Sequence, residues 1–127
     1  METIEFILYV SDQARSAEFY EGLLKTNPSL NVPGMTEFNL SETVKLGVMP
    51  ESGISNIISP AMPHPKTANG IPRCELYLKV SNPADFIERA IQLGGKKISE
   101  LQACNWGDTV GYIADLDGHV IAFATKK

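Results

Sequence analysis

Residues 5–24, EFILYVSDQARSAEFYEGLL, and residues 75–94, ELYLKVSNPADFIERAIQLG, decide the fold, because they align with one another at a shift of 70 residues. Seven of the twenty aligned pairs are identical, whereas chance gives about one or two at an ordinary composition. The identical pairs are Glu5/Glu75, Leu8/Leu78, Val10/Val80, Ser11/Ser81, Ala14/Ala84, Glu18/Glu88 and Leu23/Leu93. An internal repeat of this kind predicts a chain built from two copies of one supersecondary unit.

Each copy begins with a short apolar run that is rich in β-branched and aromatic residues. This run covers residues 4–10 in the first copy and 74–80 in the second, and its composition predicts a strand. Asp12 and Asn82 follow the two runs, and both residue types are good helix N-caps. Apolar residues then recur at helical spacing, so each copy is predicted to continue as a strand followed by a helix.

Three further strand-like segments follow each predicted helix, which makes each copy βαβββ. They lie at roughly 30–33, 36–40, 44–49, 96–103, 109–115 and 119–125. The residues between the copies include four prolines and two glycines, and this composition predicts a crossing loop. The chain is therefore predicted as one domain, 1–127, in which 1–50 and 73–127 are the modules and 51–72 is the loop.

Composition and charge narrow the class of protein. Hydrophobic residues make up 43% and charged residues 20% of the 127 residues, as in an ordinary globular domain. The net charge of −4 argues against a nucleic-acid partner, and no apolar run reaches the roughly 20 residues of a membrane span.

Cys74 is predicted in the core. With Cys104 as the only other cysteine and no export signal, we expect a reducing, cytoplasmic location.

Two stretches of sequence carry a family resemblance. The first is Tyr9-Val10-Ser11-Asp12 followed by Ser16 and Phe19-Tyr20, and the second is Trp106-Gly107 followed by Tyr112-Ile113-Ala114-Asp115-Leu116-Asp117-Gly118-His119. They resemble the opening strand-to-helix pattern and the closing hairpin of the vicinal oxygen chelate superfamily, with Leu116 where proline is usual. This superfamily includes glyoxalase I, extradiol dioxygenases and bleomycin-resistance proteins.

The resemblance implies a fold and an assembly. The fold class would be α+β, with two βαβββ modules forming an open, curled mixed β-sheet barrel around a shared cavity and the helices outside. The modules would pair either within one chain or across a homodimer. By itself a shared fold does not establish chemistry.

The resemblance also implies four metal-ligand positions, on the first and last strands of both copies. The first-strand positions fall on Glu5 and Glu75. The last-strand positions fall on Ala122 and near Leu46-Gly47, where no side chain can ligate. A metal site needs about three or four protein donors, so no metal and no other cofactor is expected here.

Strand alternation places the cavity candidates. Side chains two residues apart share a face of a strand, and the mixed faces headed by the two glutamates should line the cavity, together with the hairpin tryptophan. The predicted ligand-binding residues are Glu5, Ile7, Tyr9, Glu75, Tyr77, Lys79, Trp106 and Ala122. The two glutamates would either form a functional carboxylate pair or lie at a solvated rim, each beside a cation such as Arg73 or Lys79.

Three functional hypotheses follow. The first is a small-molecule binding protein that resembles bleomycin-resistance proteins and acts by sequestration without metal. The alternative is a glyoxalase-type lyase that holds one divalent metal, such as Zn, Ni, Mn or Fe, through Glu5 and Glu75 and so would be an enzyme. A third is a structural or interaction module whose cavity is filled by side chains.

Overall fold

The computed structural model describes residues 1–127 and divides into two compact units, Met1–Asn69 and Gly70–Lys127. Each unit contains one copy of the sequence repeat.

The first unit is one four-stranded mixed sheet with helices. Its elements are β1 (Ile4–Val10), α1 (Gln13–Leu24), β2 (Leu30–Val32), β3 (Met35–Asn39), β4 (Val44–Pro50) and α2 (Glu51–Ile58), followed by a single 3₁₀ turn at Pro65–Ala68. The strand order is β1-β4-β3-β2. Strands β1 and β4 are parallel and the other neighbours are antiparallel.

The second unit repeats this topology. Its elements are β5 (Glu75–Lys79), α3 (Pro83–Gln92), β6 (Lys96–Ala103), β7 (Asp108–Ala114) and β8 (Val120–Lys126). The strand order is β5-β8-β7-β6, with β5 and β8 parallel. The prediction of two βαβββ modules in an α+β fold is therefore confirmed, and every predicted strand is present within a few residues of its expected bounds.

The helix caps show how the repeat directs the chain from strand to helix. In the first unit the side chain of Asp12 accepts a hydrogen bond from the Arg15 backbone N–H at 3.1 Å, as an N-cap does. In the second unit Asn82 makes no such cap; its Nδ2 donates to Oδ2 of Asp85 at 3.0 Å. Pro83 takes the first position of α3, where its fixed φ suits the helix and no N–H is needed.

The helices cover one face of each sheet. The largest fully buried side chains of the first unit are Val10, Tyr20, Leu23, Thr36, Phe38, Leu46 and Val48. In the second unit Phe86 of α3 stacks on Phe123 of β8, with ring centroids 5.1 Å apart. Gly111 of β7 lies directly under Ile87 of the same helix, where an added Cβ would collide with Ile87 Cδ1.

Two predictions need correction. Residues 51–72 are not all loop, since they contain α2 and the 3₁₀ turn; α2 forms although Gly53 and its serines are poor helix formers, and it buries Ile54. Cys74 is exposed rather than in the core, because β5 begins only at Glu75. None of the helices is long and apolar enough to cross a lipid bilayer.

Candidate functional site

Each sheet has a second face, opposite the core residues, which carries the predicted site residues. In the first unit this is the Glu5 face, and in the second unit it is the Tyr77 face. The Glu5 face comprises Glu5, Ile7, Tyr9, Met35, Glu37, Asn39, Lys45, Gly47 and Met49, and the Tyr77 face comprises Glu75, Tyr77, Lys79, Asp108, Val110, Tyr112, Ala114, Val120, Ala122, Ala124 and Lys126. These sets follow from strand register and alternation.

A chain of hydrogen bonds organises the Tyr77 face. Trp106 Nε1 donates to the Tyr77 hydroxyl at 2.8 Å, and that hydroxyl donates to Asp108 Oδ2 at 2.7 Å. Lys79 Nζ lies 3.3 Å from the other carboxylate oxygen, Oδ1. The Asp108 side chain is only 8% exposed, whereas that of Lys79 is 59% exposed. One buried carboxylate therefore fixes both neighbouring side chains of β5.

Small residues on β8 permit the hydrogen bond between Tyr77 and Asp108. Strand β8 lies between β5 and β7, so the bond from Tyr77 to Asp108 passes over β8. The β8 residues on this face are Ala122, which is paired with Tyr77, and Ala124. Both alanines are fully buried, and Tyr112 packs against the same cluster. A larger side chain at either position would occupy the space through which the bond passes.

Asp108 is the electrostatic centre of this face. The hydrogen bond from Tyr77 lowers the pKa of Asp108, and Lys79 lowers it further, against the opposing effect of burial. Burial and the bond to Asp108 raise the pKa of Tyr77, so its hydroxyl stays protonated and can donate. Lys79 therefore pairs with Asp108, and the sequence-based suggestion that Lys79 accompanies Glu75 is wrong.

Glu75 lies on the same face and influences a second tyrosine. Burial raises the pKa of Tyr112, and the negative charge of Glu75 raises it further. Tyr77 and Tyr112 stand on opposite sides of Ala122, because the three residues are in direct register across β5, β8 and β7. The face thus combines three aromatic side chains, counting Trp106, with one exposed carboxylate.

On the Glu5 face, one carboxylate oxygen is buried and unpaired. Oε2 of Glu5 has no hydrogen-bond partner. A Cβ added at Gly47 would lie 2.6 Å from this oxygen and 3.1 Å from Met35 Sδ. The missing side chain at Gly47 is therefore what makes room for the carboxylate over the middle of the sheet.

Glu5 also has a second carboxylate beside it. Burial raises the pKa of Glu5, and the hydrogen bond and negative charge of Glu37 raise it further, while Lys45 lowers it. Lys45 lies opposite Glu5 in the strand register, but its Nζ is 3.7 Å from Glu37 Oε1. The pKa of Glu5 is therefore raised, by burial first and by the neighbouring carboxylate of Glu37 second.

The donors needed for a resident metal do not come together. Glu5 is flanked on β4 by Lys45 and Gly47, and Ala122 occupies the last-strand position of the second unit. Nowhere in residues 1–127 do three His, Cys, Asp or Glu side chains meet in a way that could hold a metal ion. The residues present do not fit the divalent metal that the family resemblance implies.

The structure brings some predicted site residues into contact and adds others. Tyr77, Lys79 and Trp106 are joined through Asp108, while Ile7 and Tyr9 are exposed on β1. Sequence reasoning missed Asp108, Glu37, Lys45 and Tyr112. Strand parity could have found Asp108, which lies two residues before Val110, but β7 was expected to start one residue later.

Comparison with known proteins now decides the family. The sequence profile of the glyoxalase-like domain matches residues 3–126. The chain belongs to the glyoxalase-like domain family. It is thereby a member of the vicinal oxygen chelate superfamily, as its two motifs predicted. No curated protein matches the chain.

Solved structures of this family share the fold. A glyoxalase-related enzyme from Fulvimarina pelagi is 21% identical, with a TM-score of 0.81, and the match covers 98% of this chain and 87% of that one. A glyoxalase/bleomycin resistance protein/dioxygenase family enzyme from Burkholderia phytofirmans PsJN is 12% identical, with a TM-score of 0.81 and coverage of 97% of both chains. A glyoxalase/bleomycin resistance protein/dioxygenase from Nocardioides is 20% identical, with a TM-score of 0.74, over 99% of this chain and 83% of that one. These likenesses show the fold alone.

Proposed function

We propose that this glyoxalase-like protein binds a flat, apolar small molecule on the Tyr77 face and acts by sequestration, without metal chemistry. The observation that carries the proposal is the hydrogen-bonded chain from Trp106 through Tyr77 to Asp108. It fixes two aromatic side chains before any ligand arrives, and such preorganisation lowers the entropy lost on binding.

The composition of the Tyr77 face supports this function. Small-molecule sites are lined mainly by apolar and aromatic side chains with a few well-placed polar groups. Trp106 is 58% and Tyr77 38% exposed, so both rings offer contact area. Lys79 and Glu75 supply one charge of each sign beside them. On the other unit, Ile7 and Tyr9 give the Glu5 face a smaller apolar surface.

A thermal-shift panel of flat aromatic compounds tests the proposal, because a ligand that binds only the folded state raises the Tm. We expect stabilising compounds to act equally in the presence of EDTA. Tyr77→Phe, which breaks the chain of hydrogen bonds, should reduce the shift, whereas Tyr9→Phe on the other unit serves as the matched control. A shift lost in Tyr9→Phe and kept in Tyr77→Phe would move the site to the Glu5 face.

A metal-dependent glyoxalase-type lyase is the second candidate, and one observation favours it. The unpaired, buried Oε2 of Glu5 beside Glu37 is the kind of oxygen that attracts a cation. Loading the purified protein with Zn, Ni, Mn or Fe and measuring bound metal would test this, with Glu5→Ala and Glu75→Ala as variants. Stoichiometric metal that both variants lose, together with turnover of a hemithioacetal, would overturn the sequestration proposal.

The remaining parts of the proposal concern assembly and location. We expect a homodimer, which sedimentation equilibrium would detect, and a cytoplasmic location in which Cys74 and Cys104 stay reduced. A purely structural module would show neither ligand-dependent stabilisation nor metal binding.

A further inference from the structure

A groove runs between α1 and the β2 segment of the first unit, and it includes none of the residues discussed above as a ligand site. Its volume is about 640 Å³. It is lined by residues of α1 and its N-cap within 12–21 and by residues within 28–33.

The two walls of the groove are held at a fixed separation by one side chain. Gln13 Nε2 donates to the Val32 carbonyl at 2.8 Å and to Thr36 Oγ1 at 2.9 Å. Gln13 Oε1 accepts from the Gly34 backbone N–H at 2.8 Å. Thr36 is fully buried and donates to Asn31 Oδ1 at 2.9 Å. The groove is therefore preformed, since it needs no rearrangement of α1 or β2 to admit an occupant.

The floor of the groove is apolar and its helical wall is acidic. Ala14 and Ala17 are one turn apart on α1, and their small side chains leave space beside Pro28 and Val32. Asp12, Glu18 and Glu21 contribute three carboxylates, of which that of Asp12 also caps α1. No lysine, arginine or histidine lines the groove. An occupant of matching chemistry has aliphatic stems that end in positive charges, as arginine and lysine side chains do.

The dimensions favour an extended chain. Residues 14 to 21 of α1 rise by about 10 Å, which is the length of about three residues of extended peptide. Backbone pairing along β2 is restricted, because this strand has only three residues and Pro33 follows it directly. Recognition would therefore depend on side chains, with charges placed against Glu18 and Glu21.

We propose that this groove is a docking site for an extended, arginine- or lysine-bearing segment of a partner protein. The site is independent of the ligand proposed for the Tyr77 face. Charge complementarity carries the choice of occupant, since the groove lining holds three carboxylates and no cation. Because these charges are at the surface, binding should weaken as the salt concentration rises.

Fluorescence polarisation with a fluorescein-labelled peptide of alternating arginine and alanine tests this proposal. We expect saturable binding, and none by the same peptide with glutamine in place of arginine. The double variant Glu18→Lys/Glu21→Lys should weaken binding by about tenfold or more, equivalent to about 1.4 kcal/mol. The matched control Glu42→Lys/Glu88→Lys makes the same change in net charge at exposed positions outside the groove and should bind like the wild type.

A neutral substitution separates docking from simple charge attraction. Ala17→Leu keeps the charge and suits a helix, but it fills the floor, so it should also weaken binding. Three results would each overturn the proposal. They are an equal loss of peptide binding in the control double variant, unchanged binding by Ala17→Leu, and the absence of saturable binding. Displacement of the peptide by spermine at equal concentration would do so as well, because the groove would then be a site for small polyamines.

Discussion

At the level of single residues, Tyr77 is the group on which the Tyr77 face depends. Its hydroxyl both accepts from Trp106 and donates to Asp108. Asp108 in turn holds Lys79. One hydroxyl therefore determines where an indole ring and a carboxylate are placed, and indirectly where an ammonium group is placed.

Tyr77→Phe should raise the pKa of Asp108, because the hydrogen bond from Tyr77 is the main cause of its lowered value. An aspartate with a lowered pKa stabilises the folded state above its unfolded-state value of about 3.8, and this contribution is lost as the pH falls through the folded-state value. The variant should therefore lose less stability on acidification below about pH 4. NMR titration of the Asp108 carboxyl checks this, and an unchanged pKa would show that Lys79 and Lys126, rather than Tyr77, control the carboxylate.

Glu5→Gln tests a group whose pKa is raised rather than lowered. Burial raises the pKa of Glu5 above 4.5, so its favourable contribution is complete below that pH and is lost as the pH rises through the folded-state value. At pH 7 the neutral glutamine should make the protein more stable by about 0.5 kcal/mol, after allowance for solvent screening. Urea denaturation at pH 4 and pH 7 measures this. Glu42→Gln is the control, and an equal gain there would assign the effect to net charge.

At the level of elements, the contact between α3 and β7 depends on a position without a side chain. A Cβ at Gly111 would collide with Ile87 and would lie 3.3 Å from Leu101 Cγ. Gly111→Val should lower the free energy of unfolding by about 1–3 kcal/mol, as overpacking does. Ile87→Ala should lower the free energy of unfolding by less in the Gly111→Val background than in the wild type, because it removes the side chain with which the introduced valine would collide. Gly53→Ala, whose added methyl meets nothing within 4 Å, is the control.

Most elements could be predicted from the repeat, but α2 could not. The aligned strands and helices of the two copies have clear periodicity and caps, and their positions follow from local sequence. Residues 51–58, ESGISNII, contain a glycine and three β-branched residues, which are poor helix formers. Their helix is decided by burial of Ile54, and such a tertiary contact cannot be seen in the local pattern.

The candidate site was predictable only in part for a related reason. Alternation along β5 places Tyr77 and Lys79 together, because they are neighbours on one strand. Their partner Asp108 is 31 residues away from Tyr77 in sequence. Asp108 can be predicted as their partner only if the first residue of β7 and the register of β7 against β8 are known. The length of the preceding loop determines neither of these.

At the level of the whole molecule, family membership depends on nearly the whole chain, whereas the chemistry depends on a few side chains. The glyoxalase-like profile extends over residues 3–126 and the fold recurs in structures at 12–21% identity. The chemistry lies in a few side chains on that fold. In this chain the last-strand ligand position is Ala122, and the face around it is built from aromatic side chains and the Lys79–Asp108 ion pair. We therefore propose binding without metal.

The intrinsic fluorescence of Trp106 offers the most direct test, because it is the only tryptophan of the chain and lies in the proposed site. The protein should be titrated with a flat, uncharged aromatic compound from the thermal-shift panel before and after treatment with EDTA. We predict saturable quenching of Trp106 with the same Kd in both cases. Quenching that disappears with EDTA and returns when a divalent metal is added would contradict the claim.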